Sequence, residues 1–178
     1  MNKILVKNHK TDYGELILGS YDNQLCLCDW YYRKMRQNID KRLKEKLDAE
    51  FDKGESQIIH DTIEQLTEYF NGERKDFDIP LLFAGSDFQQ RVWAELLKIP
   101  YGETETYLGL SHRLGNEKAI RAVASANGAN AISIIVPCHR IIGSNGDLIG
   151  YAGGLSTKKK LLILEGGIDQ SEQLELFT

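Results

Sequence analysis

The hydrophobic pattern changes character along the chain. In the first thirty residues it is extended. Glu15-Leu16-Ile17-Leu18 and Gln24-Leu25-Cys26-Leu27-Cys28-Asp29-Trp30 flank Tyr21-Asp22-Asn23, which predicts a hairpin among antiparallel strands. Residues 31–53 are charge-rich and weakly periodic, compatible with a helix or an exposed excursion from the sheet. Ser56 then precedes Ile58, Ile59, Ile63, Leu66, Tyr69 and Phe70 at helical spacing, and Asn71-Gly72 is the stop signal. Glu73 to Gly85 reads as a connector with an extended apolar piece at Ile79–Phe83. The domain boundary falls there.

The second half has shorter elements. Ser86-Asp87-Phe88-Gln89 has the S-x-x-Q form of a capping box, and Phe88, Val92, Trp93 and Leu96 give the helix after it one apolar face. Ile99-Pro100-Tyr101-Gly102 breaks that helix. Tyr107 to Leu114 and Lys118 to Asn127, separated by Gly115-Asn116, have the layout of a helix-turn-helix. The second of these helices is narrow, with Ala122, Ala124, Ser125 and Ala126 around Arg121. Side chains this small suit close approach to a minor groove, not base reading in a major groove. Ala131 to Val136 reads as extended and apolar. Ser144-Asn145-Gly146-Asp147 predicts a tight turn and with it a small hairpin or wing. A last helix runs from Leu155 to Leu164 and ends at Gly166-Gly167.

Charge changes this picture more than composition does. The 178 residues carry 22 basic and 26 acidic side chains, a net charge of -4 that argues against a protein coating nucleic acid by charge alone. The distribution is uneven. Residues 1–86 hold 13 basic and 16 acidic groups, whereas 106–164 holds seven basic against two acidic, a local excess of +5. A local positive surface can guide a phosphate backbone although the total is negative. The apolar run Ile4-Leu5-Val6 is too short for a signal peptide, and no stretch approaches the ~20 apolar residues of a membrane span. Three cysteines make a poor disulfide framework and point to a reducing compartment. The expectation is a soluble cytoplasmic protein with no membrane association.

The cysteines divide into two kinds. Cys26 and Cys28 alternate with Leu25 and Leu27, which puts them on one strand face. A metal pair completed by His9 or His60 is one reading, but without a second cysteine pair, packing as small hydrophobes is favoured. Cys138 stands in Ile135-Val136-Pro137-Cys138-His139-Arg140. Pro137 interrupts any regular ladder there, and His139 and Arg140 supply groups that favour a thiolate. Burial of an inert thiol is the alternative.

At this point the motifs resemble those of one family. Phe88-Gln89-Gln90-Arg91-Val92-Trp93, Ile99-Pro100-Tyr101-Gly102-Glu103-Thr104, Arg121-Ala122-Val123-Ala124, Asn130, Pro137-Cys138-His139-Arg140-Ile141-Ile142, Tyr151-Ala152-Gly153-Gly154-Leu155 and Glu165-Gly166 resemble, in order and spacing, the O6-alkylguanine-DNA alkyltransferases. The resemblance covers nearly half the chain. It implies an α+β protein: residues 1–85 an N-terminal ribonuclease-H-like antiparallel sheet with helices, 86–168 a mostly helical winged helix-turn-helix domain, and 169–178 an acidic tail.

The same resemblance implies a reaction. Cys138 accepts the alkyl group of O6-alkylguanine, and of O4-alkylthymine, by SN2 displacement. His139 acts as general base through a water, oriented by Glu165, and Tyr107 protonates N3 of the leaving base. Arg121, Ala122, Ser125, Asn130 and Arg140 address double-stranded DNA through its minor groove, with Arg121 replacing the flipped nucleotide and Asn130 acting as a hinge. Ile141, Tyr151 and Ala152 form the substrate pocket, together with backbone carbonyls of Cys138 and Ile141. Small residues at Ala152, Gly153 and Gly154 predict room for alkyl groups larger than methyl. Neither a metal nor a cofactor is implied, the thioether product ends the protein's use, and a monomer suffices. A DNA-binding module without transfer activity, a cysteine hydrolase and a redox-sensing regulator are the alternatives.

Overall fold

A computed structural model describes residues 1–169 of the chain. Its first half is a four-stranded sheet of order β3-β2-β1-β4, formed by β1 (Asn2–Thr11), β2 (Gly14–Tyr21), β3 (Gln24–Trp30) and β4 (Ala49–Lys53). The first three strands are antiparallel neighbours, and β4 joins β1 in parallel. The expected hairpin turns on Asp22 and Asn23, both in the left-handed region at φ 49° and 59°. Two successive residues of that conformation match the twist of the strands, and Asp and Asn tolerate it best after glycine. Residues 31–53, ambiguous in sequence, supply helix α1 (Arg36–Leu47) and then β4. Within α1 only Ile39 and Leu43 are buried, which is why its periodicity is faint.

One expectation about β3 fails. The register against β2 slips between Gly19 and Ser20, so that Leu27 faces Gly19 while Leu25 faces Ser20. Cys26 is the extra residue of this bulge, and an extra residue reverses the alternation beyond it. Cys26 therefore packs with Leu27, Ile39 and Leu43 on the α1 side of the sheet, whereas Cys28 packs with Leu16, Leu18 and Trp30 on the other. The two thiols cannot share a metal from opposite faces. Burial pushes the Cys26 thiol up to about 12 and that of Cys28 higher still, as befits inert packing groups.

Helix α2 (Gln57–Phe70) covers the Cys28 side. Its N-terminus is capped by Ser56, whose hydroxyl accepts from the Ile59 N–H, and it buries Ile59, Leu66 and Tyr69. The connector then returns to the sheet edge. The Leu25 N–H donates to the Pro80 carbonyl and the Leu82 N–H to the Leu25 carbonyl, so Ile79–Phe83 is extended as expected.

The second half contains α3 (Asp87–Leu96), β5 (Glu105–Thr106), α4 (Tyr107–Arg113), α5 (Ile120–Gly128), β6 (Ile141–Ile142) and α6 (Leu155–Glu165). Ser86 and Gln89 form the anticipated capping box at α3. Helices α4 and α5 pack against each other, joined by a 3-10 turn at Glu117–Ala119. The core of this half is continuous with the Cys28 side of the sheet: Trp93, Val123, Ile132 and Leu161 belong to the same apolar cluster as Leu18, Leu66 and Trp30.

Two local expectations are corrected here. Residues 131–136 form a knot of turns, although every one of them is buried. Ile134 adopts φ 73°, a conformation a β-branched side chain resists at a cost of about 1–3 kcal/mol. The turn at 144–147 is present, closed by the Gly143 N–H on the Asp147 carbonyl. No hairpin ladder flanks it, because β6 pairs in parallel with β5 instead of with the returning chain.

Candidate active site

The knot of turns exists because one side chain organises it. The amide nitrogen of Asn130 donates to the Val136 carbonyl at 2.9 Å and lies 3.3 Å from the Ile132 carbonyl, while its oxygen accepts from the Ile132 N–H at 2.9 Å. The same nitrogen reaches Cys138 Sγ at 3.3 Å. Pro137 follows, and Cys138–Arg140 then close into a single 3-10 turn. A turn of this kind removes the strand alternation that would direct Cys138 and His139 to opposite sides.

Cys138 lines a cleft of about 580 Å³ whose walls come from both halves of the chain. Tyr107, Asn130, Tyr151 and Ala152 line it from the second half, and Tyr32, Arg33, Lys34 and Met35 from the first. The volume lies within the range of small-molecule sites. Burial pushes the Cys138 thiol up, partly opposed by the Asn130 hydrogen bond and the positive charges of Arg33 and Lys158. The resting group is therefore a thiol, and it needs a base.

His139 is that candidate. Its Nε2 lies 2.8 Å from Glu165 Oε1, and both side chains are fully buried. Its Nδ1 is buried with no hydrogen-bond partner among the described residues. Burial lowers the imidazole below its ordinary range, against the opposing pull of Glu165, so His139 is neutral and able to accept a proton. Burial alone would raise the Glu165 carboxyl, but hydrogen bonds from His139 and Arg140 outweigh it and hold it at about 2. Glu165 also accepts from the Tyr69 hydroxyl at 2.7 Å. A buried carboxylate with this many charge-assisted donors is a fixed negative post for the imidazole.

Arg140 needs correction. It was expected beside DNA and as a group favouring the thiolate. Its guanidinium is instead buried, donating from Nε to Glu165 Oε2 and from Nη2 to Glu165 Oε1, each at 2.9 Å, and from Nη1 to the Ile99 carbonyl. A buried guanidinium needs acceptors for its donors, and the Glu165 carboxylate and the Ile99 carbonyl provide them. Asn130 likewise points inward and has no surface with which to address DNA, though its contacts suit the hinge role. Arg121, Ala122 and Ser125 are exposed on α5.

The pocket residues divide in a similar way. Tyr107 is half-buried on the cleft with its hydroxyl donating to the Ile149 carbonyl at 3.2 Å, and burial and then the Cys138 charge raise its phenol. Tyr151 accepts from Trp30 Nε1 at 3.1 Å. Ile141 is fully buried and does not line the cleft; its carbonyl accepts from the ammonium of Lys158. Gly153 is small for a different reason than expected. A Cβ there would meet Trp30 Nε1 at 2.7 Å, so the missing side chain makes way for the indole and opens no space for a ligand.

Several contributors escaped the sequence reading. Tyr69 counted only as an apolar helix position. Arg33 lay in the ambiguous 31–53 stretch, and Lys158, which also donates to the Ile149 and Gly150 carbonyls, resembled a surface lysine in a Lys-Lys-Lys run. Burial lowers Lys158 to about 8. Among the described residues no cluster of histidine, cysteine and acidic side chains could hold a metal ion.

Two family models match this architecture, one for each half. Residues 7–83 match the ribonuclease-like domain, and residues 87–167 the DNA binding domain, of 6-O-methylguanine DNA methyltransferase. The chain belongs to that family. Methylated-DNA--protein-cysteine methyltransferase of Mycobacterium tuberculosis is 54% identical over 103 residues, 58% of this chain and 62% of the relative, so the match spans under two thirds of that relative's length. The protein of the same name from Methanosarcina acetivorans is 53% identical over 110 residues, 62% of this chain and 70% of that one. Among solved structures, the Mycobacterium tuberculosis O6-methylguanine methyltransferase superposes with a TM-score of 0.75 at 38% identity, covering 98% of this chain and 99% of its own. A structure of that bacterium's OGT in complex with DNA gives 0.75 at 36% identity, covering 99% of each chain.

Proposed function

We propose that this protein repairs DNA by moving the alkyl group of O6-alkylguanine, and of O4-alkylthymine, irreversibly onto Cys138. The observation that carries the reading is a cleft-lining cysteine followed directly by a buried histidine, whose Nε2 is tied to the ionised Glu165 and whose Nδ1 is free to take a proton. A bridging water passes the thiol proton to Nδ1. Sγ then attacks the carbon on O6, the carbon–oxygen bond breaks, and the electron pair leaves with the base. Tyr107 protonates N3 as that charge develops, and the imidazolium returns its proton to the phenolate through solvent. The products are guanine and an S-alkyl cysteine. A thioether has no good leaving group, so each molecule reacts once, without cofactor.

The target atom is inaccessible inside a duplex, and the reading therefore includes extrusion of the nucleotide. Exposed Arg121 on α5 is the side chain suited to the vacated space, with Ala122 and Ser125 allowing that helix to approach the minor groove. Three free cysteines suit a reducing cytoplasm, and no helix among the described residues is long and apolar enough to cross a membrane. The reaction needs one chain only.

The test is to incubate the protein with a duplex carrying one O6-methylguanine and to examine the Cys138 peptide by mass spectrometry. The expected result is one methyl group on Cys138 and an unmodified guanine in the DNA, with Cys138→Ser binding the duplex but repairing nothing. An intact lesion and an unmodified Cys138 would refute the reading. Arg121→Ala is expected to lose far more rate on duplex than on free O6-benzylguanine; equal losses would remove Arg121 from the extrusion step.

A further inference from the structure

Besides walling one side of the cleft and bonding Glu165 through Tyr69, the N-terminal half grips the end of a helix in the second half. The α5 helix is nine residues long, has no side-chain cap at its N-terminus, and buries only Val123, Ala126 and Asn127. Its other end is held unusually well. Arg33 donates from Nη2 to the Gly128 carbonyl and from Nη1 to the Asn130 carbonyl, the latter at 2.9 Å. Arg42 donates from Nη2 to the intervening Ala129 carbonyl at 2.8 Å and from Nε to the Ala84 carbonyl at 2.9 Å. Three successive carbonyls, the last of α5 and the two just beyond its end, are thus taken by two guanidinium groups from the N-terminal half. Both cations also complement the negative end of the helix.

The strap continues into the acceptor segment. The Cys28 N–H on β3 donates to the Ala131 carbonyl, the Ser133 N–H donates to the Cys28 carbonyl, and the Ser133 hydroxyl donates to Asp29 Oδ1. Asp29, fully buried, accepts in turn from Arg33 and Arg36. The Arg42 guanidinium lies 5.2 Å from the centre of the Trp93 ring, whose own Nε1 donates to the Ala126 carbonyl in the last turn of α5. Between the strapped carbonyls and the sulfur stands one residue: the backbone carbonyl of Asn130 is held by Arg33 while its side chain reaches Cys138 Sγ.

We propose that the N-terminal half is the positioning frame of the DNA-engaging helix, with Arg33 and Arg42 as positioning residues that hold its C-terminal end while DNA loads it. Inserting a side chain into a duplex and unstacking a base applies a load to α5 that a free base does not. Without the clamp the helix end shifts under that load, and the flipped base and Cys138 lose their mutual register. The proposal rests on the transfer reading, and it predicts a defect specific to duplex substrate.

Arg42 gives the cleaner test because, unlike Arg33, it does not line the cleft. Single-turnover rates on duplex O6-methylguanine and on free O6-benzylguanine are measured for the wild type, Arg42→Met and Arg42→Lys, with thermal melts in parallel. Methionine preserves an unbranched apolar stem against Trp93 while removing the donors. Arg42→Met is expected to slow duplex repair about tenfold, the scale of one lost charge-assisted hydrogen bond, with at most about a twofold change on the free base. Arg42→Lys, which retains a charged donor, is expected to recover part of the duplex rate. Equal losses on both substrates, or no loss on duplex in the folded variant, would overturn the proposal. Failure of the wild type to alkylate on either substrate would instead strike the transfer reading.

Discussion

The β2–β3 hairpin and the segment from Asn130 to Ile142 are both deeply buried, yet they satisfy their backbones by opposite means. In the sheet, ladder hydrogen bonds pair the backbone, and side chains have only to alternate toward the right face. The 130–142 segment has a strand of two residues and is otherwise turns. Its backbone groups depend on Asn130, on Lys158 reaching the Ile141 carbonyl, and on the edge of β3. The difference teaches where function can sit. A ladder fixes a plane of packing residues; a knot organised by a side chain holds Cys138 at the cleft while the next residue, His139, is buried against Glu165.

Breaking each region in turn separates these roles. The largest effect is expected from Asn130→Ala, which orphans the buried Ile132 N–H, removes one of the two donors to the Val136 carbonyl and releases Cys138. Stability should fall by about 3 kcal/mol, as unsatisfied buried groups cost about 1–3 kcal/mol each, and the single-turnover transfer rate should drop at least about a hundredfold. Urea melts and quenched-flow alkylation measure the two losses. Leu18→Ala, in the sheet, should cost a similar 2–5 kcal/mol by cavity formation, about the range for a buried leucine. Molecules that remain folded should nevertheless alkylate at the wild-type rate. A slowed rate there would mean that the two regions are not separable.

Glu165 sharpens the comparison through pH. Its carboxyl sits at about 2 in the folded protein against 4.5 as an ordinary side chain. A depressed carboxyl contributes stability that is complete above the unfolded value and is lost as pH falls through the folded one. The wild type should therefore lose about 3 kcal/mol from this group between roughly pH 5 and pH 2, a figure that follows from about 1.4 kcal/mol per unit. Glu165→Gln should flatten that part of the profile in urea melts. It should also slow transfer at neutral pH by leaving His139 unoriented and Arg140 buried without its carboxylate.

Elements with one regular period were legible in advance. The hairpin, α2 with its Ser56 cap, α3 with its capping box, the paired α4 and α5, and α6 follow from spacing and terminal residues that act over a few positions. Cys138 and its partners were named from the resemblance of their motifs to one family. What escaped were departures that local pattern cannot encode. The Gly19/Ser20 register slip sends Cys26 and Cys28 to opposite faces, though their alternation reads as a shared one. Arg140 resembles a surface cation until Glu165, distant in sequence, takes its guanidinium.

The sequence by itself determined most of the elements and the local positive charge of 106–164, because these depend on residues near one another in the chain. Only the tertiary structure decided which cations face solvent and which hold carbonyls. A buried guanidinium or ammonium is tolerated where folding delivers acceptors to it, and for Arg33, Arg42, Arg140 and Lys158 those acceptors come from backbone that is remote in sequence or bent out of any regular element.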